Sequence, residues 1–322
     1  MRLIPVIGLV CLLFSLPIPV VAQSATPAAT SPVAAIGDFA GLVDIGGRNM
    51  YLTCRGEGGP TVILEAGAGN DADTWDAVAL GPDSEQTAVL PGVAAFTRVC
   101  AYDRPGTILD VDNRSRSDPV PMPRGATAMV DDLHALLTAA AIPGPYVLAA
   151  HSFGGLVARL YAATYPDEVV GLVLIDAAHE DYYDQLRALL TPAQWTTFTG
   201  PPPDLADDPV FERLDIDAST SAMRAAAAAS PLRPLPLVVL THGRPFDWPQ
   251  GVPAAAVEAL WLPLQENLAV LVPDGRLVIA EQSGHFIPGD QPDLVIDAIR
   301  QVVEAVRDPS AWATGAATPA VE

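Results

Sequence analysis

Ser152 has the local sequence of an activated nucleophile. It lies in the stretch AHSFGG, residues 150–155, after an apolar run that predicts a buried strand and before a pattern that predicts a helix. A sharp strand-to-helix turn needs small residues two positions before and after the serine, because the backbones come close together, and Ala150 and Gly154 meet this need. Such a turn exposes the serine hydroxyl and leaves the Phe153 N–H at the helix start, where it can stabilise a developing oxyanion. Outside a strand-turn-helix setting the same pattern is common and marks an ordinary turn.

A second oxyanion donor is expected from the loop after an earlier strand. Residues 65–69, EAGAG, follow the strand predicted at 61–65, and glycines let a backbone approach a substrate closely. We expect the Ala68 N–H to be this donor. The alternative is a glycine-rich turn with no part in binding.

The base that accepts the proton of Ser152 is expected to be His285. All 17 basic residues are arginine, which excludes a serine-lysine pair, and the chain has five histidines. His285 lies in QSGHF, residues 282–286, after the last predicted strand, where a chain ordered serine, acid, histidine places its base. The other four have less suitable positions: His134 in a helix, His151 beside the serine with its ring directed away, His179 after the strand that ends at residue 175, and His242 at a strand end.

The acid that orients the histidine is expected to be Asp176. It directly follows the apolar strand predicted at 169–175, so it stands at a carboxyl end of the sheet, where it can hold the imidazole in one tautomer. The alternative is Asp247, because the acid of such sites more often follows the next strand. Residues 240–244, which end that strand and follow it, hold no carboxylate.

The elements that must position these residues alternate between short apolar runs and longer helical patterns. This alternation predicts an α/β fold with a mostly parallel sheet covered by helices. The predicted strands are 41–47, 49–54, 61–65, 98–102, 146–150, 169–175, 237–240 and 277–280. The predicted helices are 126–140, 154–165 and 257–271. Between residues 177 and 231 the alternation fails, and an insertion of this length between core strands predicts a helical lid over the site.

The two ends of the chain have the composition of segments outside the folded domain. Residues 1–22 combine Arg2, an apolar run and a small-residue cleavage site, which is typical of an export signal; an uncleaved membrane anchor is the alternative. Residues 23–37 are predicted to be a flexible tether, 38–307 a single domain, and 308–322 a disordered tail. We therefore expect a protein that is secreted or held in the cell envelope, without stable membrane insertion once the signal is removed.

Charge and cysteine content limit the partners. The formal net charge of -21 repels phosphate backbones, so no nucleic-acid partner is expected. The sequence lacks metal-ligand spacing and the glycine fingerprint of dinucleotide binding, so neither metal nor cofactor is expected. Export would leave Cys54 and Cys100 in the mature chain, where they could pair or remain two separate buried thiols.

The chain resembles bacterial α/β-hydrolases of the AB hydrolase-1 group. The resemblance covers about residues 38–307 and is strongest at AHSFGG and at SGHF; VILEAG at 62–67 and RVCAYDR at 98–104 also contribute. It implies an eight-stranded, mostly parallel sheet with helices on both faces. It also places Cys54 beside the strand of Cys100, which favours a disulfide between them. Haloalkane dehalogenases of this fold include members whose acid follows the strand after the nucleophile helix, as Asp176 does, although their nucleophile is an aspartate.

Together these residues predict a serine hydrolase that cleaves carboxylic esters through an acyl-enzyme, with a small-molecule ester or lipid-like substrate. A proline iminopeptidase, a lactonase or a haloperoxidase-like enzyme would use the same residues. A binding protein that retains the fold without catalysis is the alternative from another class.

Overall fold

An eight-stranded sheet forms the centre of the fold. The computed structural model describes residues 37–79, 85–108, 114–246, 248 and 251–314. The strands are β1 (Phe39–Asp44), β2 (Asn49–Arg55), β3 (Thr61–Glu65), β4 (Val99–Tyr102), β5 (Tyr146–His151), β6 (Val169–Ile175), β7 (Leu237–His242) and β8 (Arg276–Ala280). Their spatial order is β1-β2-β4-β3-β5-β6-β7-β8. The pairs β1–β2 and β2–β4 are antiparallel and the others are parallel, so the predicted hairpin and the mostly parallel sheet are both present.

Helices cover both faces of this sheet. They are α1 (Val89–Ala94), α2 (Ala126–Ala139), α3 (Phe153–Thr164), α4 (Tyr182–Leu189), α5 (Pro192–Thr199), α6 (Ile216–Ala229), α7 (Ala254–Ala269), α8 (Ile287–Asp290), α9 (Pro292–Arg307) and α10 (Pro309–Thr314). Successive strand residues point to opposite faces, so Leu148 packs in the layer of α2, α3 and α7, whereas Val147 packs in the layer of α1 and α9. The predicted α/β-hydrolase architecture is confirmed.

The sequence prediction missed four helices, α1, α8, α9 and α10. Helix α1 contains Pro91 and Gly92, which are poor helix formers, so its local sequence does not mark it. Helix α9 does carry a helical signal, because Val295, Ile299 and Val302 recur with helical spacing and are buried. Together with α1, it covers the face of the sheet opposite α2, α3 and α7.

A disulfide joins Cys54 on β2 to Cys100 on β4, the pairing that the resemblance implied. The two residues stand directly opposite each other in the antiparallel register, with their Cα atoms 4.0 Å apart, and both are fully buried. The bond therefore ties the antiparallel edge of the sheet to its parallel centre.

Several predictions concern the ends of the chain and the insertion. The predicted export signal and all of the predicted tether except Gly37 lie outside the described residues, as do residues 315–322. The prediction of a disordered tail from residue 308 is wrong for α10, whose Trp312 ring packs against the Arg276 guanidinium at 3.7 Å. The insertion of residues 177–231 contains α4, α5, a short 3-10 helix and α6. Among the described residues, no helix combines the length and apolarity that a membrane crossing requires.

Candidate active site

Ser152 stands on a tight turn between β5 and α3. Its backbone has φ 54° and ψ -126°, in a region that non-glycine residues rarely occupy. The surrounding backbone holds this conformation: the Ser152 N–H donates to the Ile175 carbonyl at 3.1 Å, and the Ser152 carbonyl accepts from Ala178 at 2.8 Å. Gly154 is required here, because a Cβ at that position would lie 2.5 Å from the Ala66 carbonyl oxygen. Strained residues held by their surroundings in this way concentrate at functional sites.

Gly155→Ala is expected to destabilise the fold by about 1–3 kcal/mol through overpacking. An added Cβ would lie 2.3 Å from the Cβ of Ala177, in the closed seam between α3 and the segment after β6. Gly41→Ala is the matched control and should have a smaller effect. Its added Cβ would meet only the tip of the partly exposed Phe39 ring, at 3.3 Å. Urea unfolding followed by circular dichroism checks both variants, and a wild-type midpoint for Gly155→Ala would contradict the expectation.

The structure brings Ser152, His285 and Asp176 into one hydrogen-bonded chain. His285 Nε2 lies 2.9 Å from Ser152 Oγ, and His285 Nδ1 lies 2.6 Å from Asp176 Oδ2. The three residues follow β5, β8 and β6, whose carboxyl ends meet at one edge of the sheet. The alternative acid, Asp247, lies outside the described residues. With its Nδ1–H directed to a carboxylate, the imidazole presents the Nε2 lone pair to the serine hydroxyl.

His151 fixes the loop that carries His285. Its Nε2–H donates to the His285 carbonyl oxygen at 2.8 Å. Burial, with a contribution from the neighbouring His285, lowers the pKa of His151 to about 3, so the ring is neutral and can donate from Nε2. Sequence analysis expected this ring to point away from the nucleophile and gave it no role. In the structure it lines the cavity that Ser152 also lines, and its centroid lies 4.7 Å from that of His285.

Asp176 is a fully buried carboxylate surrounded by donors. Besides His285, its oxygens accept from His242 Nδ1 at 2.8 Å, the His242 N–H at 3.1 Å and Trp261 Nε1 at 2.7 Å. Burial alone would raise the pKa of Asp176, but the hydrogen bonds from His242 and His285 outweigh it and hold the pKa well below its usual value. Asp176 is therefore ionised throughout the neutral range. The sequence had assigned His242 only to a strand end.

Arg104 holds the loop that contains Ala68. This buried guanidinium donates to the carbonyl oxygens of Ala66 at 2.8 Å and Gly67 at 2.6 Å, and it pairs with the carboxylates of Glu65 and Glu212. Since the C=O and the following N–H of a trans peptide point in opposite directions, the Ala68 N–H faces away from Arg104.

The same loop lies directly against the nucleophile. A Cβ on Gly67 would stand 3.1 Å from Ser152 Cβ, and Ala68, Ser152 and Phe153 all line one cavity. Glu212 of the insertion also accepts from the Gly69 N–H at 2.7 Å. Sequence analysis missed the role of Arg104 and Glu212, because the two residues lie 108 positions apart in the chain and no local pattern relates them.

The cavity beside Ser152 has a volume of about 620 Å³ and an aromatic lining. Residues of the insertion line it, as do Phe246 and Trp248 from between β7 and α7. The phenylalanine, tyrosine and tryptophan residues around it are Phe153, Tyr182, Tyr183, Phe198, Phe211, Phe246, Trp248, Trp261 and Phe286. Phe246 lies 4.8 Å from the His285 ring, whereas Phe198 is 41% exposed, so the apolar lining extends from the Ser–His pair towards solvent. Such a cavity suits a neutral, largely apolar ligand.

Comparison with known proteins places these features in a family context. Residues 62–298 match the family model described as "Alpha/beta hydrolase family". An uncharacterized protein of Bacillus subtilis, YqjL, is 26% identical over 252 residues, which are 77% of this chain and 85% of that protein. A protein of Gibberella zeae described as an AB hydrolase superfamily protein is 23% identical over 315 residues, 81% of this chain and 92% of that protein.

Solved structures share the fold at low sequence identity. A thermophilic esterase from Thermogutta terrifontis superposes with a TM-score of 0.54 at 18% identity, covering 84% of this chain and 99% of that one. Est816, described as an N-acyl homoserine lactone degrading enzyme, superposes with a TM-score of 0.54 at 16% identity, covering 82% of this chain and 100% of that one. At these identities the likeness concerns the fold alone.

Proposed function

The chain belongs to the alpha/beta hydrolase family, and on that premise we propose that it is a serine hydrolase that cleaves carboxylic esters through an acyl-enzyme on Ser152. One observation carries the proposal: the hydrogen-bonded chain from Ser152 through His285 to Asp176 opens onto an apolar cavity. In this proposal Ser152 is the nucleophile, His285 the general base and Asp176 the acid that orients it.

The proposed reaction begins with proton transfer from the Ser152 hydroxyl to His285 Nε2. The serine oxygen attacks the ester carbonyl, and the imidazolium then gives its proton to the departing alcohol. Water, deprotonated by the same histidine, cleaves the acyl-enzyme and restores the serine. The ionised Asp176 stabilises the imidazolium that forms in each half of the reaction.

We assign the oxyanion site to the backbone N–H groups of Ala68 and Phe153. The Phe153 N–H stands at the first turn of α3, where helix N–H groups have no helical acceptor and favour negative charge. Arg104 orients the peptide that carries the Ala68 N–H, as described above. Preorganised donors of this kind stabilise the tetrahedral intermediate without reorganisation during the reaction.

We propose a neutral ester with a substantial apolar part, small or lipid-like, as the substrate. The aromatic lining of the cavity supports this choice, because burial of apolar substrate surface is favourable and an unpaired charge would be desolvated there. The insertion, with α4 and α5 beside the cavity, would act as the lid that admits the substrate. We also retain export to the cell exterior or envelope as a proposal, based on the composition of residues 1–22.

Covalent labelling tests the proposed function most directly. A fluorophosphonate probe reacts with activated serines, so we expect folded protein to be labelled at Ser152, located by peptide mass spectrometry, and heat-unfolded protein to remain unlabelled. A panel of p-nitrophenyl esters with increasing acyl length should then give turnover that rises with apolar chain length before it declines. Well-folded protein that neither reacts with the probe nor cleaves any ester would favour a binding protein instead.

A further inference from the structure

We propose that His242, held by Glu258, is a positioning residue that places a fixed positive charge on Asp176 and thereby extends the activity of His285 to lower pH. This inference rests on the proposed function, because it assigns a role in the same reaction. His242 stands at the end of β7, after which the acid of such sites more often lies.

His242 bridges two carboxylates. Its Nδ1 lies 2.8 Å and 3.0 Å from the two oxygens of Asp176, and its Nε2 lies 3.1 Å from Glu258 Oε2. The His242 side chain is 6% exposed and that of Asp176 is fully buried, so water screens the inner contact little. Asp176 Oδ2 thus receives one imidazole from each side, His285 at 2.6 Å and His242 at 2.8 Å.

The contacts of His242 with both carboxylates favour its doubly protonated form. Glu258 Oε1 accepts from the Phe246 N–H at 3.0 Å and from Trp248 Nε1 at 2.8 Å, which leaves Oε2 to face His242 Nε2. Asp176 is ionised for the reasons given above. A neutral imidazole would direct one lone pair at a carboxylate oxygen, whereas an imidazolium donates to both.

The surroundings of His242 support the same charge state. Burial by itself would lower the pKa of His242, but the hydrogen bonds and charges of Asp176 and Glu258 raise it above its usual value. The other titratable groups near it are His285, Glu281 and Tyr182. His285 shares Asp176 with His242, Glu281 lines a second pocket together with His242, and the phenol of Tyr182 is buried. Burial raises the pKa of Tyr182, so this phenol is neutral and adds no charge beside His242.

A positive charge on His242, on the opposite side of Asp176, changes the electrostatic potential at His285. The positive charge of His242 offsets part of the negative charge of Asp176. Asp176 therefore stabilises an imidazolium at His285 less than it would without His242. We therefore expect the acidic limb of kcat/KM to lie at a lower pH than it would without the charge of His242. The hydrogen bonds from His242 also fix the rotation of the Asp176 carboxylate.

Glu258→Gln is designed to remove the positive charge of His242 while it keeps the hydrogen bonds around the ring. The glutamine oxygen can still accept from Phe246 and Trp248, while its NH₂ donates to His242 Nε2, which must then carry a lone pair. His242 becomes neutral, Asp176 acts on His285 with its full charge, and the acidic limb of kcat/KM is expected to move up by about one pH unit. His242→Asn should move it in the same direction, because an amide also donates to Asp176 without a charge.

The direction of the shift distinguishes this role from a general electrostatic effect. If His242 carried no charge, removing the Glu258 carboxylate would only withdraw negative charge from the site, and the acidic limb would move down. Glu281→Gln is the matched control: it removes a nearby carboxylate that has no hydrogen bond to His242, and it should move the limb downward or not at all. A downward shift in Glu258→Gln overturns the proposal.

A spectroscopic measurement tests the charge state without relying on activity. The ¹⁵N signals of the histidine ring nitrogens, assigned by their loss in His242→Asn, should show both nitrogens of His242 protonated at pH 7 in the native protein and one in Glu258→Gln. A neutral His242 in an active native enzyme refutes the inference and leaves the proposed function standing. A cationic His242 in a protein that cleaves no ester refutes the proposed function instead.

Discussion

Ser152→Ala is expected to lower turnover by about six orders of magnitude. The variant lacks the hydroxyl that faces His285 Nε2. In the hydrogen-bonded series of Ser152, His285 and Asp176, this hydroxyl is the group that His285 deprotonates. Without the acyl-enzyme, water must attack the ester directly, and the Ala68 and Phe153 amides can stabilise that transition state only in part. The remaining rate should still exceed that of the uncatalysed reaction.

Steady-state turnover of the best ester from the panel, with protein purified free of host esterases, measures this loss. Ser230→Ala is the matched control, because Ser230 caps the C-terminal end of α6 away from the cavity lining, and it should keep wild-type turnover. The alanine at position 152 removes one oxygen from a turn whose backbone bonds remain, so both variants should unfold near the wild-type urea concentration. More than a hundredth of wild-type turnover in Ser152→Ala would mean that another residue is the nucleophile.

Asp176→Asn is expected to reduce turnover by about 10⁴-fold with little change in KM. An asparagine directs its NH₂ or its oxygen at His285 Nδ1, and the NH₂ contact forces the tautomer whose Nε2 carries the proton. That tautomer cannot accept the proton of Ser152. The oxygen contact preserves the tautomer but removes the charge that stabilises the imidazolium.

Asp247→Asn is the control for this prediction, since Asp247 is the rival acid. We expect it to keep turnover within a few fold of wild type. Asp176→Asn should also lose stability, because His242 and Trp261 donate to the carboxylate, so urea midpoints must accompany the kinetics. Loss of turnover in Asp247→Asn with retention in Asp176→Asn would assign the acid to the later loop.

The cavity illustrates what local patterns do not contain. Tyr182, Phe211, Phe246 and Trp261 line it from α4, the rest of the insertion, the segment after β7 and helix α7. In sequence each belongs to a different stretch, and an aromatic residue in any of them would serve equally well in a core. Their convergence depends on how the insertion packs, for which residues 177–231 carry no repeated pattern.

Local sequence patterns do not specify the charged contacts around the site either. Arg104 meets Glu212, and Asp176 meets His242 and Trp261, across long separations in the chain. A buried ion pair is worth its desolvation only when geometry and further hydrogen bonds are good, and sequence spacing specifies neither. These contacts therefore could not be inferred before the strands and helices were placed.

By itself, the sequence determined the elements that local physical chemistry specifies. Buried strands are recognisable as apolar runs, the turn at Ser152 as small residues around a serine, and the parallel order of the sheet as alternation of strands with helices. From that order, Ser152, Asp176 and His285 followed as candidates, because residues after parallel strands gather at one edge. Only the tertiary structure decided which groups surround them: the donors on Asp176, the second histidine, the guanidinium under the Ala68 loop and the aromatic cavity. The physical reason is that the first set depends on neighbours along the chain, whereas the second depends on side-chain packing between segments that no periodicity relates.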